Sequence, residues 1–144
     1  MKFIINADDF ANSLNMSDII IKCAKKGVLN STSIMINSPF LDEAILKLED
    51  INIRTSLHLN IAEGKPVSNQ NELNYLLQNG EFSKSFESIV FEYYLSSKRK
   101  REIIKNDVKT GFKNQILLYS KKLQTKDINI DSHQHYHTIP FIVD

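Results

Sequence analysis

The chain has 144 residues, 42% of them hydrophobic, and carries 18 basic against 17 acidic side chains for a formal net charge of +1. That length suits one domain with a real core, and the balanced charge gives no global field that would favour nucleic acid or an anionic membrane. One cysteine excludes an internal disulfide, and no apolar run approaches the roughly 20 residues that span a bilayer, so the expectation is a cytoplasmic protein with neither nucleic-acid nor membrane partners.

Lys2 to Ala7 is a short, β-branched, nearly all-apolar run, the pattern of a strand buried on both faces of a parallel sheet. Its interruption at Asn6 and by two aspartates argues against a secretory leader. Met16, Ile19, Ile20, Cys23 and Ala24 then fall on one face of a helix, with Gly27 where a C-terminal cap would stand. Ser31 to Asn37 reads as a second strand, and Leu41, Ile45 and Leu48 mark a second helix after Pro39. A third strand, Arg54 to Ile61, alternates: Ser56, His58 and Asn60 point one way while Leu57, Leu59 and Ile61 point the other.

Ala62 to Ser85 is rich in Gly, Pro, Asn, Gln and Ser, the composition of a long loop at a strand end, where substrate contacts often sit. Helical patterns follow over Phe86 to Ser96 and Lys100 to Thr125, the second with an approximate stripe of Ile103, Val108, Phe112, Ile116 and Tyr119. The basic Lys98-Arg99-Lys100-Arg101 reads as the solvated start of that helix. A fourth strand near Ile128 to Ser132 leads into a histidine-rich segment. The order β-α-β-α-β-loop-α-α-β predicts an α/β fold with parallel strands and crossover helices, in an open sheet or a (β/α) barrel. A complete (β/α)8 barrel takes roughly 250 residues, so the sequence reads as the first half of such a fold.

All four histidines lie in two motifs, Ser56-Leu57-His58-Leu59-Asn60 and Asp131-Ser132-His133-Gln134-His135-Tyr136-His137. With Asn6-Ala7-Asp8-Asp9-Phe10 they make three polar clusters, each at the end of a β-type run, placed to converge at one sheet edge. Of two adjacent carboxylates, one can bind a metal while its neighbour accepts a proton from water; the structural alternative for Asp8-Asp9 is a cap on the following helix. A lone strand histidine is more often a hydrogen-bonded core residue than a ligand. If the last strand continued, His133, His135 and His137 would share a face; if the backbone turns after His133, fewer reach one ion. One Asp with two His and water is an open, catalytic kind of site, suited to hydrolysis. No nucleophile elbow or phosphate-binding glycine loop can be written from this sequence.

The three blocks, NADDFA at 6–11, SLHLNIAEGKPV at 56–67 and DSHQHYHTIP at 131–140, together with GVLNSTSIMINSP at 27–39, resemble the YdjC/ChbG-like carbohydrate deacetylases. The resemblance covers essentially the whole chain. It implies a single (β/α) barrel-like domain over residues 1–144, incomplete toward its C-terminus. It also implies a divalent ion, usually assigned as magnesium although zinc or another divalent ion suits the same ligands, and removal of acetyl groups from N-acetylated sugars such as chitooligosaccharides. Carried over residue by residue, it makes Asp9, His58 and His133 the metal ligands and Asp8 the general base, with His137 assisting as an acid or in substrate binding. Ala11 stands where the family has glycine, a departure that matters if the backbone there needs a positive φ. Ser56 and Ala62 replace the usual Gly and Thr.

Two other readings compete. A metal-dependent phosphoesterase would also use His-x-His strand ends, and would show basic side chains near the motifs. A non-catalytic fragment would bind metal or sugar without turnover, or would form a homodimer in which a second subunit covers the unpaired final strand.

Overall fold

The computed structural model describes residues 3–67 and 69–143. Four parallel strands form the central sheet in the order β1-β2-β3-β6: β1 (Asn6–Phe10), β2 (Ser31–Met35), β3 (Arg54–Leu59) and β6 (Ile130–Ser132). Between them run α1 (Leu14–Lys25), α2 (Leu41–Leu46), α3 (Phe86–Leu95) and α4 (Lys98–Leu123), and α5 (Pro140–Val143) follows β6. The expected α/β class and parallel sheet are present. Among the described residues the sheet stays open, with β1 and β6 at its two edges.

The first strand differs from expectation. It begins at Asn6 and runs through both aspartates to Phe10, while Phe3, Ile4 and Ile5 are 71%, 62% and 54% exposed. Pairing with β2 starts only at Asn6↔Ser31, and an edge strand has a neighbour on one side, so the apolar run ahead of it is left uncovered. Lys2 lies outside the described residues.

Helix α1 begins as its sequence dictates: the Ser13 side chain accepts the Met16 N–H, and Gly27 follows the last turn with φ 71°. Capping by Ser13 leaves the two aspartates free of that duty. The buried face carries Ser17, Ile20 and Ile21, whereas Met16 and Ile19 are exposed, so the helix is rotated from the predicted face. Cys23 is half-buried. In α4 the same correction applies at Ile103, which is exposed; Ile104, Asp107, Val108, Gly111, Phe112, Gln115 and Tyr119 are inside.

Leu57, Leu59 and Ile61 are buried in the core that α4 covers, and the Tyr119 hydroxyl donates to Thr55 Oγ1 at 3.0 Å. The amide of Gln115 clasps the backbone of Asn60, accepting its N–H at 2.9 Å and donating to its carbonyl at 2.7 Å. Among its described residues, the predicted loop holds a 3-10 turn (Gln70–Glu72) and a two-stranded hairpin of β4 (Leu77–Gln78) and β5 (Glu81–Phe82). Its Asn79-Gly80 turn, with φ 53° and 82°, is a two-residue hairpin signal that the sequence already carried. Asp107 anchors this segment to α4 by accepting the N–H groups of Tyr75 and Leu76.

The opposite face of the sheet is polar. Asn6 and Asp8 of β1, Ser33 of β2, Ser56 and His58 of β3 and Asp131 of β6 are brought together across four strands by the register Ser33↔Ser56 and His58↔Asp131.

Candidate metal centre

Asp9 reaches the site because β1 is irregular. Between Ala7 and Phe10 the strand advances three residues while β2 advances two, from Thr32 to Ile34, and the extra residue makes a bulge. Asp9 sits there with φ 61°, a left-handed conformation that an aspartate tolerates better than most residues. Strict alternation would send Asp9 away from the Asp8 side; the bulge turns it to His58 and His133. Ala11 also has a positive φ, 73°, so the position where the resembling family has glycine does make that backbone demand.

Asp9 Oδ1 lies 3.2 Å from His58 Nε2 and 3.2 Å from His133 Nδ1. Two donors each about 2.1 Å from one ion stand roughly 3.0 to 3.4 Å apart in octahedral or tetrahedral coordination. Both Asp9 contacts therefore have the spacing of two ligands on one divalent ion, and Asp9, His58 and His133 each offer a ligand atom within 4.8 Å of the others. A second group, Asp8, His58 and Asp131, meets the same distance limit. There His58 Nδ1 and Asp131 Oδ1 are 2.6 Å apart, a charge-assisted hydrogen bond and too close for two ligands of one ion.

That bond belongs to a chain of contacts behind the donors. Asp131 accepts a hydrogen bond from the Ser33 hydroxyl on its other oxygen. With its only proton so engaged, Ser33 Oγ accepts from the Asn6 amide at 2.8 Å and from Ser56 at 2.9 Å. The same Asn6 amide donates to Asp8 Oδ1 at 2.7 Å. Burial pulls the His58 pKa down, but the Asp131 hydrogen bond and the carboxylates of Asp131, Asp9 and Asp8 outweigh it and hold His58 above its ordinary range. Burial likewise pushes Asp131 up, and the bonds from His58 and Ser33 overcome that and hold it below the usual carboxylate range.

The histidine run does not continue as a strand. β6 ends at Ser132, and residues His133–Thr138 form a 3-10 segment kinked by left-handed Gln134 and His135, with φ 50° and 59°. His133 alone of the run joins Asp9; His135 is exposed. His137 packs back on the strand end, where Ser132 Oγ accepts its backbone N–H at 3.0 Å and meets its Nδ1 at 2.6 Å. Glu63 stands 4.0 Å from His133 Nε2 on a turn that the Asn60 side chain holds by accepting the Ala62 and Glu63 N–H groups. A cavity of about 280 Å³, lined by Asn12, Phe40, Asn60 and Glu63 among others, adjoins the turn.

The sequence alone gives no role to Asp131, Ser33 or Glu63. Asp131 stands two residues before His133, so an extended reading of the segment puts both on one face, and that period of two is the available signal, even though β6 ends at Ser132. Nothing local pointed to Ser33 or Glu63.

A carbohydrate deacetylase 2 of Listeria innocua is 31% identical over 135 residues, covering 92% of this chain and 50% of that protein. A carbohydrate deacetylase of Clostridium beijerinckii is 30% identical over 148 residues, covering 96% and 52%. The crystal structure of a protein of Enterococcus faecalis V583 described as a cellobiose-phosphate cleavage protein superposes with a TM-score of 0.74 at 25% identity, over 93% of this chain and 49% of that one. The chain thus spans about half the length of these relatives. No helix among the described residues is long and apolar enough to cross a membrane. The family model described as YdjC-like protein matches residues 2–144, and the chain belongs to that family.

Proposed function

We propose that this chain carries the metal site of a hydrolase that removes acetyl groups from N-acetylated sugars, chitooligosaccharides being the substrate class its resemblance implies. The observation that carries the reading is the single Asp9 oxygen placed 3.2 Å from both His58 Nε2 and His133 Nδ1, with Asp8 adjacent in sequence and outside that trio. The names of the relatives support the reaction class.

Asp9, His58 and His133 would hold the ion. When bound, it would polarise the acetamide carbonyl and make water a stronger acid near neutral pH. Asp8 is exposed at the strand edge, and among the described residues its side chain is engaged at Oδ1, by the Asn6 amide. Its free oxygen is available to take the proton of the attacking water and to return it to the departing amine. His137, whose Nδ1 meets Ser132 Oγ, is the second proton carrier of the proposal and a donor to substrate through Nε2. The cavity beside Glu63 would take the sugar ring, with Phe40 as an apolar wall. Magnesium follows from resemblance only; two imidazoles and a carboxylate suit zinc, manganese or cobalt at least as well.

The phosphoesterase alternative gains nothing. Among the described residues, the hydrogen bonds and ion pairs of Asp8, Asp9, His58 and His133 include no lysine or arginine to clamp a phosphoryl group. The deciding experiment is acetate release from N,N′-diacetylchitobiose and from other N-acetylated mono- and oligosaccharides, using metal-stripped protein resupplied with Mg²⁺, Zn²⁺, Mn²⁺ or Co²⁺. Turnover that depends on metal and is lost in His133→Ala supports the proposal. A folded, metal-loaded sample that releases no acetate from any of them refutes it for this chain and leaves the reading of a non-catalytic metal- or sugar-binding unit.

A further inference from the structure

We propose that Asp131 is a positioning residue for His58: it fixes the ring so that Nδ1 carries the proton and Nε2 presents its lone pair to the ion, and Ser33 in turn fixes Asp131. The effect on metal binding rests on the reading above; the ring's tautomer is a property of the metal-free protein.

The geometry divides the labour of one imidazole. His58 is 3% exposed and has a carboxylate at each nitrogen, Asp131 at 2.6 Å from Nδ1 and Asp9 at 3.2 Å from Nε2. The closer contact is the hydrogen bond and the farther one has ligand spacing, so the proton belongs on the Asp131 side. His58 and Asp131 are register partners on adjacent strands, which sets their approach by backbone pairing rather than by a flexible side chain. Rotation of the carboxylate is blocked because its second oxygen holds the Ser33 hydroxyl, and Ser33 is held from two further strands by Asn6 and Ser56. A ligating histidine whose other nitrogen donates to a carboxylate is both oriented and made more basic, and loss of such a partner weakens metal binding by about 10- to 100-fold. Because the Asn6 amide bridges this network to Asp8, the same hydrogen bonds set the spacing between the ligand ring and the proposed base.

The test uses ¹⁵N-labelled, metal-free protein and long-range ¹H–¹⁵N correlation of the imidazoles at a pH where His58 is neutral, with Zn²⁺ affinity measured by chelator competition. The wild type is expected to show His58 as the Nδ1–H tautomer. Asp131→Ala should mix the tautomers and weaken Zn²⁺ by about 10- to 100-fold; Asp131→Asn, which keeps an acceptor oxygen, should recover part of both. A folded Asp131→Ala protein with an unchanged His58 tautomer and Zn²⁺ affinity within threefold of wild type overturns the proposal. If that variant does not fold, Ser33→Ala decides, because it frees only the far oxygen of Asp131: unshifted His58 nitrogens and unchanged affinity overturn the proposal, and weaker binding with shifted nitrogens supports it. Should the wild type bind no Zn²⁺, the metal reading fails, while the tautomer comparison still decides the role of Asp131.

Discussion

Replacing Gln115 with methionine tests whether the polar clasp between α4 and the end of β3 stabilises the fold. Gln115 is fully buried and makes two hydrogen bonds to the backbone of Asn60, itself 1% exposed. Methionine keeps the length and most of the volume, so the packing term stays small. The Asn60 N–H and C=O would lose their protein partners, each a cost of about 1–3 kcal/mol when buried. Partial entry of water reduces the sum, giving an expected loss of about 2–4 kcal/mol. For a chain of this size that lowers Tm by roughly 5–15 °C. Urea unfolding of metal-free protein, followed by circular dichroism, measures it. His58 is held by its own strand pairs, so Zn²⁺ affinity should stay within about threefold of wild type. A loss below 0.5 kcal/mol with an unchanged m-value would refute the reasoning, by showing that these groups find other partners at no net cost.

The His58–Asp131 pair makes the metal-free protein sensitive to pH in two directions. His58 is raised above 6.5, so its contribution to stability is fully present below that pH and is lost as pH rises through the higher folded value. Asp131 is lowered below 3.8, so its contribution is present above that pH and lost as acid takes it through the folded value. Urea midpoints in EDTA, wild type against Asp131→Ala, should therefore differ most between pH 3.8 and 6.5, while Zn²⁺ affinity rises with pH as the proton on His58 ceases to compete. Asp107→Ala strips the acceptor from Tyr75 and Leu76; faster hydrogen exchange at those two amides and a loss of about 1–3 kcal/mol are expected. Asp107→Asn should cost less, since its carbonyl oxygen still accepts.

Much of the fold was legible because its rules are short-ranged. Alternation in Arg54 to Ile61 separates His58 from Leu57 and Leu59 without knowledge of any neighbour, and β3 (Arg54–Leu59) follows it. Glycine at position 27 closes α1 for reasons internal to one helix. The helix faces were less legible, because Ile103 and Ile104 are equally apolar and only the sheet beneath α4 chooses between them.

By itself, the sequence determined that carboxylates and imidazoles accompany β-type runs in a parallel α/β fold, since residue type and a period of two suffice for that. Tertiary structure decided which of them meet. The bulge that turns Asp9 inward exists only against β2, and the left-handed residues at 134 and 135 are what leave His133 at the site while turning His135 outward and His137 back onto Ser132. Asp131 and Ser33 find one another across 98 positions of chain because β6 lies beside β3 and β3 beside β2. Strand order and register are set by the burial of the whole sheet under its helices, an energy shared among distant residues that no local pattern encodes.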